Sequence, residues 1–166
     1  MADLRLPVNK MKIGDPNYRY WMHPININEE NGCTKISNLN EISQTLDYPE
    51  EILLQFISSQ VSSKKLEPNI LSGIYAKEKI QEITYKFIDY YKICPTCENP
   101  EMKPFLKKKF IFNKCSGCGN IVKIEDIKYK STFNSIKNFL TNKTWPESKG
   151  FLVENKENED NDDDYF

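Results

Sequence analysis

Cys94, Cys97, Cys115 and Cys118 stand at the spacing C-x2-C-x17-C-x2-C, and no other pattern in the chain constrains its fold as tightly. Two residues between cysteines let a tight turn aim both thiolates at one ion. A glycine after the second pair, Gly119, tolerates the left-handed turn that points backbone N–H groups at sulfur. The pattern predicts one tetrahedral Zn2+ held by four cysteines, with a closed shell that leaves no position for a reactive water. Such an ion is structural, and contributes on the order of 10 kcal/mol to a unit too small to have its own core. The competing reading is two unconnected CxxC pairs, redox-active or merely packed. Cys33, the fifth cysteine, lies far from both pairs and reads as a free small residue.

Metal in place of disulfides presupposes a reducing compartment. No apolar run approaches the ~18 residues of a membrane span, and "MADLRLPVNK" lacks the apolar stretch of a signal peptide. The expectation is a cytoplasmic protein with no membrane association. The net charge of −1 conceals a split: residues 154–166, "ENKENEDNDDDYF", hold seven acids and one lysine, a net of −6, so the rest of the chain carries +5. A mildly basic body suits a partner that is partly nucleic acid, or reflects ordinary solubility. The acids of residues 154–166 can simply solvate a disordered end.

Hydrophobic spacing supplies the coarse organisation. Residues 1–24 form an irregular arm punctuated by Pro7, Pro16 and Pro24. Ile25 to Ser37 reads as a hairpin turning at Asn31-Gly32. "NLNEISQTL" reads as a helix capped by Asn38 with Glu41 three residues on, and stopped by Tyr48-Pro49. "ILLQFI", Ile52 to Ile57, reads as a short buried strand, although "YPEE" before it would also start a helix. Ser58 to Lys65 reads as a polar loop and "NILSGIY" as a strand or turn. From Ala76 to Tyr91, Ile80, Ile83, Phe87, Ile88 and Tyr91 share one helical face. The fold class is therefore α+β, with a small mixed α/β domain over 25–92, a four-Cys zinc ribbon over 93–130, a C-terminal helix within 131–153 built on Phe133, Ile136 and Leu140, and the acidic tail.

Between the cysteine pairs, "KPFLKKKFIFNK" and then "IVKIEDIKYK" give residues 103–130 eight lysines against two acids, with Phe105, Phe110 and Phe112 interleaved. Lys107, Lys108, Lys109 and Lys114 are the candidate nucleic-acid contacts. A merely solvated lysine face is the other reading, because lysine is this chain's default cation: 21 Lys against 2 Arg.

That bias singles out Arg19, set in "GDPNYRYWMHP". It can stack between Tyr18 and Tyr20 and pin the arm. It can meet a nucleic-acid phosphate. It can also enter a GTPase site in trans and neutralise charge developing on the transferred phosphoryl group.

"DPNYRYWM", the Asn-Gly hairpin, the helix running into the first cysteine pair, "CPTCENPE" and "CSGCG" occur in an order that resembles the N-terminal half of the eukaryotic translation initiation factor 5 family, from about Asp15 to about Val122. The beta subunit of initiation factor 2 is similar in its α/β unit and zinc ribbon, but would not be expected to carry "YRY" or "ENPE". The resemblance implies an α/β domain similar to initiation factor 1 and a zinc ribbon. It also implies a factor that promotes GTP hydrolysis by the gamma-subunit GTPase of initiation factor 2 on the 40S ribosomal subunit, near initiator tRNA and rRNA, as a monomer within a larger complex. Arg19 then matches the arm arginine that acts as an arginine finger or organises the GTPase site. Lys35 is the nearest match to a hairpin lysine of the family, with a spacing from Gly32 that differs by a residue. Trp21 stands where the family usually has a cation, and His23 reads as a packing or hydrogen-bonding residue. The alternative is a non-activating ribosome- or tRNA-binding scaffold similar to the beta subunit of initiation factor 2, or a minimal mimic.

Overall fold

The computed structural model of the chain describes residues 5–67, 69–125 and 128–145. The arm supplies two short strands, β1 (Leu6–Pro7) and β2 (Trp21–Met22), which pair antiparallel. Val8, Met22 and Ile25 are wholly buried, so the arm is part of the core. The expected hairpin follows as β3 (Ile27–Glu30) and β4 (Cys33–Ile36), with Glu30 opposite Cys33. Asn31 and Gly32 both take positive φ, 50° and 77°, the pair of values that a two-residue loop needs to match the strand twist.

The first helix, α1 (Leu39–Leu46), starts where expected, with Asn38 at the cap position, but the Asn38 side chain makes no capping bond to the helix. Its amide accepts from the Asn26 N–H and donates to the Pro24 carbonyl, 2.9 and 2.8 Å, tying the end of the arm to the hairpin. Glu41 meets His23 instead, 3.4 Å from Nε2. The expected strand over Ile52–Ile57 is a helix, α2 (Glu50–Gln60). Pro49 sets its entry, and Glu50 and Glu51 lie in the first turn, where a helix favours negative charge. Ile52, Leu53, Leu54, Phe56 and Ile57 are all buried because α1 and two later helices pack on α2, and the narrow polar stripe that remains, Glu51, Gln55 and Ser59, shows only one member within the apolar run. The expected loop from Ser58 is likewise shortened, since Ser58 and Ser59 continue the helix and donate back to the Gln55 and Phe56 carbonyls.

Two strands, β5 (Lys65–Glu67) and β6 (Ile70–Ser72), complete a four-stranded antiparallel sheet in the order β3-β4-β6-β5. The helix α3 (Lys77–Phe87) then runs into a π turn, Ile88–Lys92. The wider turn shifts the side-chain register, so that Tyr91 and Lys92 are both buried. Lys92 Nζ donates to the Met102 carbonyl at 2.8 Å, and burial pushes its ammonium down to about 8. The ribbon is a three-stranded antiparallel sheet of β7 (Met102–Lys107), β8 (Phe110–Cys115) and β9 (Ile121–Lys123), with β8 central. Last comes α4 (Lys130–Asn142), with Ile136 buried and Phe133 and Leu140 packed against the core. Residues 146–166, which include the expected acidic tail, lie outside the described residues.

One hydrophobic cluster runs from Val8 to Ile136 and takes in Ile111 and Ile124, so the ribbon's inner face is built into the core of the helices. Phe56 sits within it, edge-on to Phe87 at 5.3 Å and Tyr129 at 4.8 Å. Phe56→Ala should cost about 3–5 kcal/mol of unfolding free energy, measured by denaturant titration; a loss well below this range would mean that α2 is not the centre of the core.

Candidate metal centre and arginine arm

The two cysteine pairs sit on matching turns. In the first, the Cys94 N–H donates to the Asn99 carbonyl and the Glu98 N–H to the Cys94 carbonyl, 3.0 and 2.8 Å. In the second, the Cys115 N–H donates to the Asn120 carbonyl and the Gly119 N–H to the Cys115 carbonyl, 2.9 and 2.8 Å. Gly119 takes the anticipated positive φ, 82°, and Glu98 holds the equivalent position at 64°. These turns aim backbone N–H groups at sulfur: Thr96 at Cys94 and Gly117 at Cys115, both 3.3 Å.

Cys94 Sγ is 3.6 Å from Cys118 Sγ, Cys97 Sγ is 3.6 Å from Cys115 Sγ, and all four sulfurs lie within 4.8 Å of one another. A tetrahedral shell with metal–sulfur bonds of about 2.3 Å needs sulfurs about 3.8 Å apart, so the four cysteines can hold a metal ion. Burial raises the Cys94 thiol, but the N–H groups and sulfurs around it more than offset this and bring it down to about 6. Burial pushes Cys115 up to about 12. Four thiolates this close repel one another unless a cation compensates them.

The first turn also anchors the arm. The Tyr20 hydroxyl donates to Glu101 Oε2, the Ser116 hydroxyl donates to Glu101 Oε1 at 3.0 Å, and the Asn9 amide reaches the Glu98 carbonyl at 3.5 Å. "YRY" and "CPTCENPE", separate in sequence, therefore meet. On the far side, the Tyr85 hydroxyl donates to the Pro7 carbonyl at 2.7 Å. Arg19 is only partly covered. Its guanidinium lies over the Tyr20 ring, 5.6 Å from the centroid, and donates to the Tyr20 hydroxyl at 3.5 Å. Tyr18 packs edge-on against Tyr20 and Trp21 and is not the second half of a sandwich.

The two long ribbon strands, β7 and β8, each turn one face inward. Met102, Pro104, Ile111, Asn113 and Cys115 are buried, while the opposite face carries Lys103, Lys107, Lys114 and Lys123 around Phe105, Phe110 and Phe112. Register places Lys103 opposite Lys114, Phe105 opposite Phe112 and Lys107 opposite Phe110. Phe105 and Phe112 stack at 5.7 Å, and Lys123 Nζ stands 4.3 Å over the Phe110 ring. Two of the expected contact lysines, Lys107 and Lys114, thus share a face, and Lys108 and Lys109 form the β7–β8 turn. Lys35 belongs to a different sheet from the arm: it is half-buried on β4, between Asn28 and Ile70. Cys33, on the same strand, is a free thiol. The residues that sequence reasoning missed are Glu101, Lys103 and Lys123. Period-two alternation along β7 and β9 would have found the lysines, but nothing in the sequence marks Glu101 as the partner of Tyr20.

The fold and site define a class: a mixed α/β unit with a built-in arm, closed by a four-cysteine ribbon. The family described as a domain found in initiation factors 2B and 5 matches residues 10–121, and the chain belongs to that family. Eukaryotic translation initiation factor 5 of Caenorhabditis elegans is 35% identical over 140 residues, which cover 78% of this chain and 32% of that protein. The Dictyostelium discoideum protein of the same name is 34% identical over 133 residues, 76% of this chain and 34% of its own length. Translation initiation factor 2 subunit beta of Thermofilum pendens is 25% identical over 89 residues, 52% of this chain and 63% of that protein. The chain spans about a third of the length of the two factor 5 relatives. No described helix is long and apolar enough to cross a membrane.

One metal ion per chain is expected by elemental mass spectrometry of the native protein, and Cys115→Ser should lose it together with the hydrogen-exchange protection of β7 and β8. Metal-free native protein with an ordered ribbon would contradict this.

Proposed function

We propose that this chain is a cytoplasmic translation initiation factor domain that promotes GTP hydrolysis by the gamma-subunit GTPase of initiation factor 2 on the 40S preinitiation complex. The ion at the four cysteines is zinc, since an all-thiolate tetrahedral shell suits it, and its role is to fix the two turns. The observation that carries the reading is the arm: Tyr20 is held by Glu101 on the first turn, and the neighbouring Arg19 guanidinium lies at the surface over the Tyr20 ring. A guanidinium so presented can enter another protein's nucleotide site without the ordering cost of a free segment, and can stabilise charge on the transferred phosphoryl group. The chain itself turns over no substrate. The similarity to initiation factor 5 relatives supports the partner, and the lysine face of the ribbon supports contact with rRNA or initiator tRNA. Lys35, on the hairpin sheet, is a supporting contact at most.

GTP hydrolysis on reconstituted preinitiation complexes tests this. The intact protein should accelerate it, and Arg19→Ala and Arg19→Lys should both lose about 10³-fold, the scale of a supplied arginine finger, with ribosome binding retained. Lysine fails because it keeps the charge without the planar fork. Binding without acceleration by the intact protein would leave the scaffold reading, similar to the beta subunit of initiation factor 2, in its place.

A further inference from the structure

The two most exposed large apolar side chains among the described residues stand close together on the arm: Met11 is 85% exposed and Ile13 66%. Scattered apolar residues at a surface are ordinary, so the turn that holds these two outward decides their meaning. That turn is well tied. The Asn9 side chain accepts from the Met11 N–H at 2.9 Å, and the Lys12 and Asp15 N–H groups donate to the Asn9 and Lys12 carbonyls at 2.9 and 3.1 Å. Asn9 is itself buried, and its amide reaches the Glu98 carbonyl of the first cysteine turn. Lys10 Nζ lies over the Tyr85 ring, 5.8 Å from the centroid. Val8, Tyr20 and Met22 already close the core side of the loop. A partner that covers Met11 and Ile13 therefore has little backbone left to order.

Geometry ties the turn to Arg19. Leu6 pairs with Met22 and Pro7 with Trp21, and the Val8 N–H donates to the Tyr20 carbonyl at 2.8 Å. Carried one residue further, the same register sets Asn9 beside Arg19, with Cα atoms about 4.5–5.5 Å apart. From Asn9 to Met11 each step adds at most about 3.8 Å, so the Met11 Cα lies within roughly 13 Å of the Arg19 Cα. The Ile13 N–H donates to the Lys10 carbonyl at 3.4 Å and keeps Ile13 next to Met11. A standard interface covers about 800 Å² of each partner, a disc of roughly 16 Å radius. A protein that seats its nucleotide site on Arg19 thus also covers Met11, Lys12 and Ile13.

Charge specifies the other side. From Asn9 to Arg19 the loop carries Lys10, Lys12 and Arg19 against Asp15 alone, so the complementary surface is apolar at its centre and carboxylate-bearing at its rim. The unbranched thioether of Met11 adapts readily to such a depression. We infer that Met11 and Ile13, with Lys12 between them, dock in an apolar, acid-rimmed depression on the gamma-subunit GTPase that receives Arg19. The inference rests on the reading of Arg19 above and divides the roles: the apolar turn supplies affinity, and the guanidinium supplies rate.

The test pairs binding to the isolated gamma subunit with GTP hydrolysis on the reconstituted preinitiation complex, each protein carrying its metal. Met11→Ser combined with Ile13→Ser should weaken gamma-subunit binding by about 10-fold or more. It should raise the half-saturating concentration for hydrolysis by a similar factor, with the maximal rate within about 2-fold and the urea midpoint unchanged. Arg19→Ala should do the reverse, lowering the maximal rate while affinity stays within about 3-fold. Met11→Leu with Ile13→Val, which keeps the apolar contact, should bind as the intact chain does. Unchanged gamma-subunit affinity in the serine variant would overturn the docking; if the intact chain then forms a dimer that this variant dissolves, the turn belongs to a second copy. Weakened binding by the serine variant with no acceleration by the intact protein would overturn the arginine reading and leave the docking in place.

Discussion

The carboxylate of Glu101 accepts the Tyr20 hydroxyl on one oxygen and the Ser116 hydroxyl on the other, and so joins three segments that are distant in sequence. Tyr20 belongs to the arm, Glu101 follows the first cysteine turn, and Ser116 lies inside the second. Each bond to an ionised carboxylate is worth about 1.5–3 kcal/mol, small beside the contribution of a bound metal. Its consequence is geometric: the turns set by the cysteines also set where the arm runs. Removal of the ion should therefore loosen the arm along with the ribbon.

The rest of the ribbon is bound into the helices by a few buried contacts. The Asn113 amide donates to the Tyr91 carbonyl at 2.9 Å, and Lys92 Nζ caps the Met102 carbonyl; both depend on the π turn that rotates Tyr91 and Lys92 inward. Ile111 and Leu106 add apolar contact with the main core. A unit that a four-cysteine centre could stabilise in isolation is thereby oriented, with Ile111 and Asn113 turned into the helices and Lys103 held at the end of α1 by Asp47.

Much of this could be read from the sequence where a local rule acts alone. The cysteine spacing, the Asn-Gly hairpin, the amphipathic run into the first cysteine pair and the α4 pattern each follow from chemistry within a few residues. The misreading of Ile52–Ile57 has a physical cause, since the polar stripe of α2 is narrow, Glu51, Gln55 and Ser59, and only Gln55 of it falls inside that apolar run. Asn38 has the right identity for a cap but finds better partners in Asn26 and Pro24, a tertiary choice that no local rule contains. Arg19 could be singled out by rarity, while its position could not: that depends on Tyr20 meeting Glu101, 81 positions later.

That meeting is what positions the arm. A double-mutant cycle with Tyr20→Phe, Glu101→Ala and the pair, read as unfolding free energy with metal bound, measures it directly. A coupling of about 1 kcal/mol or more is expected, and additivity within about 0.5 kcal/mol would contradict it.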